Sequence, residues 1–113
     1  MKRDISLFIQ DMLDSITAIE NYVSAKSEDD FLDSGFLQDA VIRRLEIIGE
    51  ATKHIPQDFR DLHPSVRWKS ISGLRDVLAH EYFGIDLPRA WKVVKNDLPI
   101  LKVQLLKVKQ ALQ

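Results

Sequence analysis

The 113 residues contain no cysteine, which excludes disulfides, thiolate metal sites and a cysteine nucleophile. No apolar run approaches the ~20 residues that a membrane-spanning helix needs, so no membrane partner is expected. The opening MKRDISLFIQDMLDS meets Asp11 and Asp14 before an uninterrupted apolar segment forms. It does not read as a secretory signal, and the expected compartment is the cytoplasm. Internal repeats, low-complexity runs and linker-like composition are missing. So is any strand-like alternation bounded by turn signals.

What is present is ordinary globular composition, with 45% apolar and 29% charged residues, in a length that suits one domain with one modest core. The net charge of −1 hides an asymmetry. Residues 1–50 carry 5 basic and 11 acidic side chains, whereas residues 51–113 carry 11 basic and 6 acidic ones. The two halves could attract each other across a dimer, the basic half could face a polyanion, or both could be solvated faces that happen to differ.

Helical periodicity runs through the chain. Ile5, Phe8, Ile9, Met12, Leu13, Ile16, Ile19 and Val23 fall on one face and predict a helix over 4–25 with Asp4 as its N-cap. Ser27 with Asp30 three residues on resembles a capping box. A second long helix is predicted over 35–54, with Phe36, Leu37, Ala40, Val41, Leu45, Ile48 and Ala51 inward and Pro56 ending it. Gly49 inside it costs about 1 kcal/mol relative to alanine and suggests close helix packing. After a short connection at 56–64, a third helix is expected over 65–82, with Trp68, Ile71, Leu74, Val77 and Leu78 as its stripe and Gly84 as its stop. Asp86 then caps a helix with Pro88 in its first turn. Pro99 kinks that helix or restarts it with Asp97 as cap. The last segment places Lys102, Lys107 and Lys109 outside. The reading is a single all-α domain over 1–113, a bundle of four to five main helices.

The stretch GLRDVLAHEYFG, residues 73–84, sets polar side chains into an apolar helical run. Asp76 and His80 are four apart, so the carboxylate can accept a hydrogen bond from the ring, fix its tautomer and favour its charged form. Arg75 and Tyr82 are seven apart and share a face. Arg75 and His80 are five apart, about 140° around the helix. For these two to act on one phosphate, either the helix unwinds near His80 or a two-fold dimer through this helix completes the site. Spacing alone leaves a plainer reading open, in which the charges form an ion-paired rim and Tyr82 is a core aromatic with a wet hydroxyl. His54 is expected at a helix end, where the dipole favours it, and His63 in a loop. The three histidines have no metal-ligand spacing, so no metal or cofactor is expected.

Arg75, four residues, His80, one residue and Tyr82 resemble the motif of the HEPN superfamily, in particular its HepT toxin branch. RRLEIIGEATKHIP is similar to that branch's second-helix signature. WKSISGLRDVLAHEYFGIDLPRAW with DLPILKVQL is similar to its core from third helix to last. The resemblance covers most of residues 36–106. Position 76 is often asparagine in such proteins and is aspartate here. The resemblance implies a helical, metal-independent endoribonuclease toxin of a type VII toxin–antitoxin system, acting on RNA as a homodimer. Arg75, His80 and Asp76 would form its catalytic group. It further implies a cognate MntA-type nucleotidyltransferase antitoxin that transfers AMP onto Tyr82. The alternative within the family is a non-catalytic HEPN module that binds nucleotide or RNA and helps a nucleotidyltransferase choose its substrate. Outside it stands a structural dimer whose charges form an ion-paired interface.

Overall fold

The apolar stripe of the first helix decides where everything else packs. In the computed structural model, which describes residues 2–74 and 86–113 and side chains from Ile5 onward, α1 spans Lys2–Val23. Ile5, Ile9, Met12, Leu13, Ile16, Ile19 and Val23 are buried along it. Asp4 does not cap this helix, which begins at Lys2. It falls in the first turn instead. The helix ends where Ala25 adopts a left-handed backbone, φ 61°. Lys26 N–H then closes back on the Val23 carbonyl at 2.9 Å.

The expected capping box forms at α2, Glu28–Leu32. Asp30 N–H donates to Ser27 Oγ at 3.1 Å, and Ser27 N–H donates to Asp30 Oδ2 at 2.9 Å. The backbone bond from Ser27, aided by the Ser27 hydroxyl, holds the Asp30 carboxyl below the usual carboxylate range. A depressed pKa makes this cap strongest above the ordinary value and loosens it as pH falls through the lowered one. Phe31 points inward and is wholly buried. Its ring meets that of Trp91 at 5.4 Å between centroids.

Helix α3 spans Gly35–Lys53, with Ser34 Oγ accepting from Leu37 N–H. Leu37, Val41, Ile42, Leu45, Ile48, Gly49, Ala51 and Thr52 are buried. Phe36, expected inward, is 89% exposed, and Ala40 is half-buried. The stripe begins at Leu37, and Phe36 lies about 100° away from it on the first turn. Gln38 Nε2 reaches back to the carbonyls of Phe31 and Leu32, tying α2 to α3. The two long helices run antiparallel. Early α1 meets late α3, with Phe8 stacked on His54 at 4.6 Å and Thr52 Oγ1 at 3.7 Å from Met12 Sδ.

The end of α3 is closed by α4, Gln57–Leu62. Arg60 donates from Nη2 to the Thr52 carbonyl at 2.7 Å and from Nε to the Ile55 carbonyl at 3.0 Å, satisfying acceptors that a helix end leaves open. The third predicted helix starts later than 65. Arg67 is outside helical geometry at ψ 67°, and α5 spans Trp68–Ser72. Burial of Val66 and Trp68 pins the turn between them, and Trp68 N–H donates to the Val66 carbonyl.

After residue 85, Asp86 Oδ1 accepts from Arg89 N–H at 3.2 Å and caps α6, Leu87–Lys92. A π-helical turn, Val93–Asp97, then leads into α7, Leu98–Leu112. Pro99 has no N–H to donate, and its ring crowds the carbonyl four residues back. The Leu98 N–H instead reaches Val93 O, five residues back. The helix is therefore neither broken nor restarted, and Asp97, expected as its cap, makes no side-chain cap bond. On the flank of α1, Lys102 of α7 bonds Glu20 at 2.8 Å. Among the described residues, the buried apolar side chains from Ile5 to Val108, Ile42 apart, join in one core cluster. Among the described residues there is no strand, and the fold is all-α.

The left-handed Ala25 gives a direct test. Ala25→Gly relieves about 1–2 kcal/mol of Cβ strain against about 0.4–1 kcal/mol of added unfolded-chain entropy. A net gain of roughly 0.5–1 kcal/mol is expected in urea denaturation. Any loss of stability would show that this turn is not strained.

Candidate functional site

Arg75, Asp76, His80 and Tyr82, together with Val77, Leu78 and Gly84, lie outside the described residues. The described residues do define what leads into and out of that stretch. On the entry side, Trp68 and Ile71 of α5 are buried, and Trp68 Nε1 donates to the His63 carbonyl at 3.0 Å. On the exit side, Ala90 and Trp91 of α6 are buried, and Lys95 Nζ lies 5.2 Å from the centre of the Trp91 ring. A tryptophan thus anchors each flank: a large apolar surface fixes the backbone while a polar atom or neighbouring charge occupies its rim. Helix α5 packs on α3, and α6 packs on α2.

Charge on these flanks is mostly positive. Arg67, Lys69, Arg89, Lys92 and Lys95 are exposed, against Asp86 and Asp97. A groove of about 280 Å³ opens beside Leu74, between the Ser65–Leu74 segment and the start of α7. Arg67 and Asp97 both line it. Sequence reasoning passed over Arg67, which belongs to no motif, and gave Asp97 to a helix cap. The signal that could have found Asp97 is Pro99, whose missing donor allows the π turn.

The other two histidines have structural work. His54 is the C-cap of α3, as expected, with its ring stacked on Phe8 and its Nε2 3.8 Å from Glu50. His63 follows α4, packs against Phe59 at 4.8 Å and supplies the carbonyl that Trp68 uses. Among the described residues, no group of three or more histidine, aspartate or glutamate side chains is arranged to hold a metal ion. No described helix is long and apolar enough to cross a membrane.

Comparison with known proteins gives a consistent picture. The family model "Ribonuclease HepT-like" matches residues 12–108, from the middle of α1 to the last turns of α7 and across the whole 73–84 stretch. The chain is 44% identical over 110 residues to "Probable ribonuclease HepT" of Thermococcus cleftensis, covering 97% of this chain and 100% of that one. It is 48% identical over 112 residues to "Gamma-glutamylcyclotransferase and putative RNase MJ0434" of Methanocaldococcus jannaschii, covering 99% of this chain but 50% of that longer one. A third relative, "Putative RNase TTE0752" of Caldanaerobacter subterraneus, is 39% identical over 106 residues, 94% of this chain and 92% of its own. No solved structure matches significantly. With a matched region that takes in both anchored flanks and the arginine–histidine–tyrosine stretch between them, the chain belongs to the HepT-like ribonuclease family of the HEPN superfamily.

Proposed function

We propose that this protein is a metal-independent endoribonuclease toxin, silenced by a partner nucleotidyltransferase that adds AMP to Tyr82. The observation that carries the reading is the Arg75–x4–His80–x–Tyr82 pattern inside a family match covering residues 12–108. RNA brings its own nucleophile, the 2′-hydroxyl, which attacks the adjacent phosphorus and expels the 5′-oxygen of the next nucleotide. His80 moves a proton in the range where histidine titrates. Asp76, four residues before it in sequence, holds the ring in one tautomer. Arg75 stabilises the charge that builds on the phosphoryl oxygens, because a planar guanidinium matches two of them at once. The positive flanks support a polyanionic substrate.

On regular helical spacing Arg75 and His80 would lie about 140° apart, which favours a two-fold homodimer in which two copies share one cleft. Light scattering should report twice the monomer mass at micromolar concentration. A cleaving monomer would remove the second copy from the mechanism.

For catalysis, His80→Ala should lower cleavage by 10²–10⁴-fold, and Arg75→Ala comparably. Arg75→Lys should recover only part of the loss, since an ammonium cannot make paired contacts. Products should carry a 2′,3′-cyclic phosphate and form in EDTA. Cleavage by His80→Ala at the wild-type rate would discard this mechanism, and abolition by EDTA would point to a metal.

For regulation, a nucleotide on Tyr82 adds negative charge and bulk where substrate phosphate must sit. Arg75 can then hold the attached phosphate instead of RNA. Incubated with the partner, ATP and magnesium, the wild type should gain mass in steps of roughly 329 Da, one AMP residue each, and lose activity. Tyr82→Phe keeps the ring, loses the acceptor, and should gain no mass and stay active. Equal mass gain in Tyr82→Phe would exclude this tyrosine as acceptor. Modification without inhibition would exclude the blocking mechanism.

A further inference from the structure

We infer that the groove beside Leu74 is a nucleotide subsite for the RNA strand, in which Arg67 holds a phosphate and Asp97 selects bases that carry an exocyclic amino group. This rests on the proposed RNA substrate and adds a binding and specificity element to it. Arg67 and Asp97 line the same groove of about 280 Å³. They are opposite charges, both exposed, yet they do not pair with each other. Neither has an ion pair or side-chain hydrogen bond to any described residue. Two charges of opposite sign in one groove, neither paired with a described residue, suit a ligand that is itself an anion at one end and a hydrogen-bond donor at the other. A nucleotide is such a ligand, with its phosphate at one end and a base edge at the other.

The local backbone explains why Asp97 is available. It closes the π turn that Pro99 imposes, and it makes no side-chain cap bond to α7. π turns recur at functional sites because they aim a side chain that a regular helix would direct elsewhere. Apolar side chains line the same groove, among them Leu74 and the exposed Ile100, which can meet the face of a base, beside the polar Ser65, Ser70 and Gln104. Its volume lies near the lower end of the range for small-molecule pockets, about 300–1,000 Å³, and so fits one nucleotide rather than a duplex. Leu74 also lines it and is bonded directly to Arg75, so the groove adjoins the cleavage motif along the chain.

The carboxylate sets the selectivity. Single-stranded RNA is read on base edges, and a carboxylate accepts from the amino groups of cytosine, adenine and guanine. Uracil presents its one N–H between two carbonyl oxygens, which a carboxylate repels. The strand is therefore held with amino-bearing bases preferred over uracil at this position.

Fluorescence anisotropy of labelled octacytidylate, octa-adenylate and octauridylate tests this, with His80→Ala in every chain to prevent cleavage. The cytidine and adenosine strands should bind about tenfold more tightly than the uridine strand, the ratio that roughly 1.4 kcal/mol gives. Asp97→Asn, which can donate to a uracil oxygen, should bring the three within about twofold. Arg67→Ala should weaken all three by roughly tenfold without changing their order. Both positions are exposed, and circular dichroism should confirm that the variants fold. An unchanged base order in Asp97→Asn would overturn the subsite, and so would unchanged affinity in Arg67→Ala. Free 5′-CMP binding as tightly as octacytidylate would overturn its assignment to a strand. The readout needs no cleavage, so it separates from the ribonuclease proposal. A wild type that binds with this preference but cuts nothing sinks the enzyme and keeps the subsite. Cutting with no such preference does the reverse.

Discussion

The antiparallel seam between α1 and α3 is the constraint to which the other elements answer. Met12, Ile16 and Ile19 on one side and Val41, Leu45 and Ile48 on the other are wholly buried. Each side chain of this kind is worth roughly 1.5–3 kcal/mol when removed from water. Among the described residues, no other pair of elements packs together over so long a contact. The seam leaves α1 with a second flank, which α7 covers, and leaves α3 with a side on which α5 rests. The short helices are braces on this pair. Gln38 ties α2 back to it, and Arg60 ties α4 to its end.

Such a frame fixes the chain on both sides of the arginine–histidine–tyrosine stretch. Trp68 and Trp91 are both buried, one before residue 75 and one after residue 85. The charge asymmetry of the sequence has the same organisation. The acidic half builds α1 to α3, while the cationic residues that border the motif sit on the loop before α5, on α5, on α6 and on the π turn. The mostly cationic flanks of the motif and the acidic half of the chain are thus largely separate parts of the sequence.

Much of this was legible in the sequence, for reasons that can be named. The α1 stripe, the Ser27–Asp30 box and the Asp86 cap follow local rules that depend on side chains a few residues apart. Phe36 misled because it is apolar and adjacent to the stripe, and only the position of the stripe's start at Leu37 tells that it faces out. The start of α5 was misplaced because Val66 and Trp68 bury themselves through a turn, a tertiary effect invisible to periodicity. Asp97 misled because aspartate before proline reads as a cap, whereas a missing N–H can also be absorbed by widening the helix. The motif itself was legible by resemblance. The family match bears out the recognition, while the roles of Arg75, Asp76, His80 and Tyr82 rest on residues outside the described structure.

The Glu20–Lys102 contact joins residues 82 apart in sequence, and it has a consequence for the order of synthesis. Helix α1 emerges first, and α3 can zip onto it while the chain is still growing. The second flank of α1 must wait for α7, which is made after everything it covers. At about 5–20 residues per second, the 15 residues of α7 take on the order of a second or more. Throughout that interval the nascent chain carries an uncovered apolar flank next to an already formed hairpin of helices. Chaperone engagement is expected to concentrate on this flank. The residues that α7 contributes to the groove beside Leu74 join the rest only after it docks, so the groove is complete only once this helix has folded back.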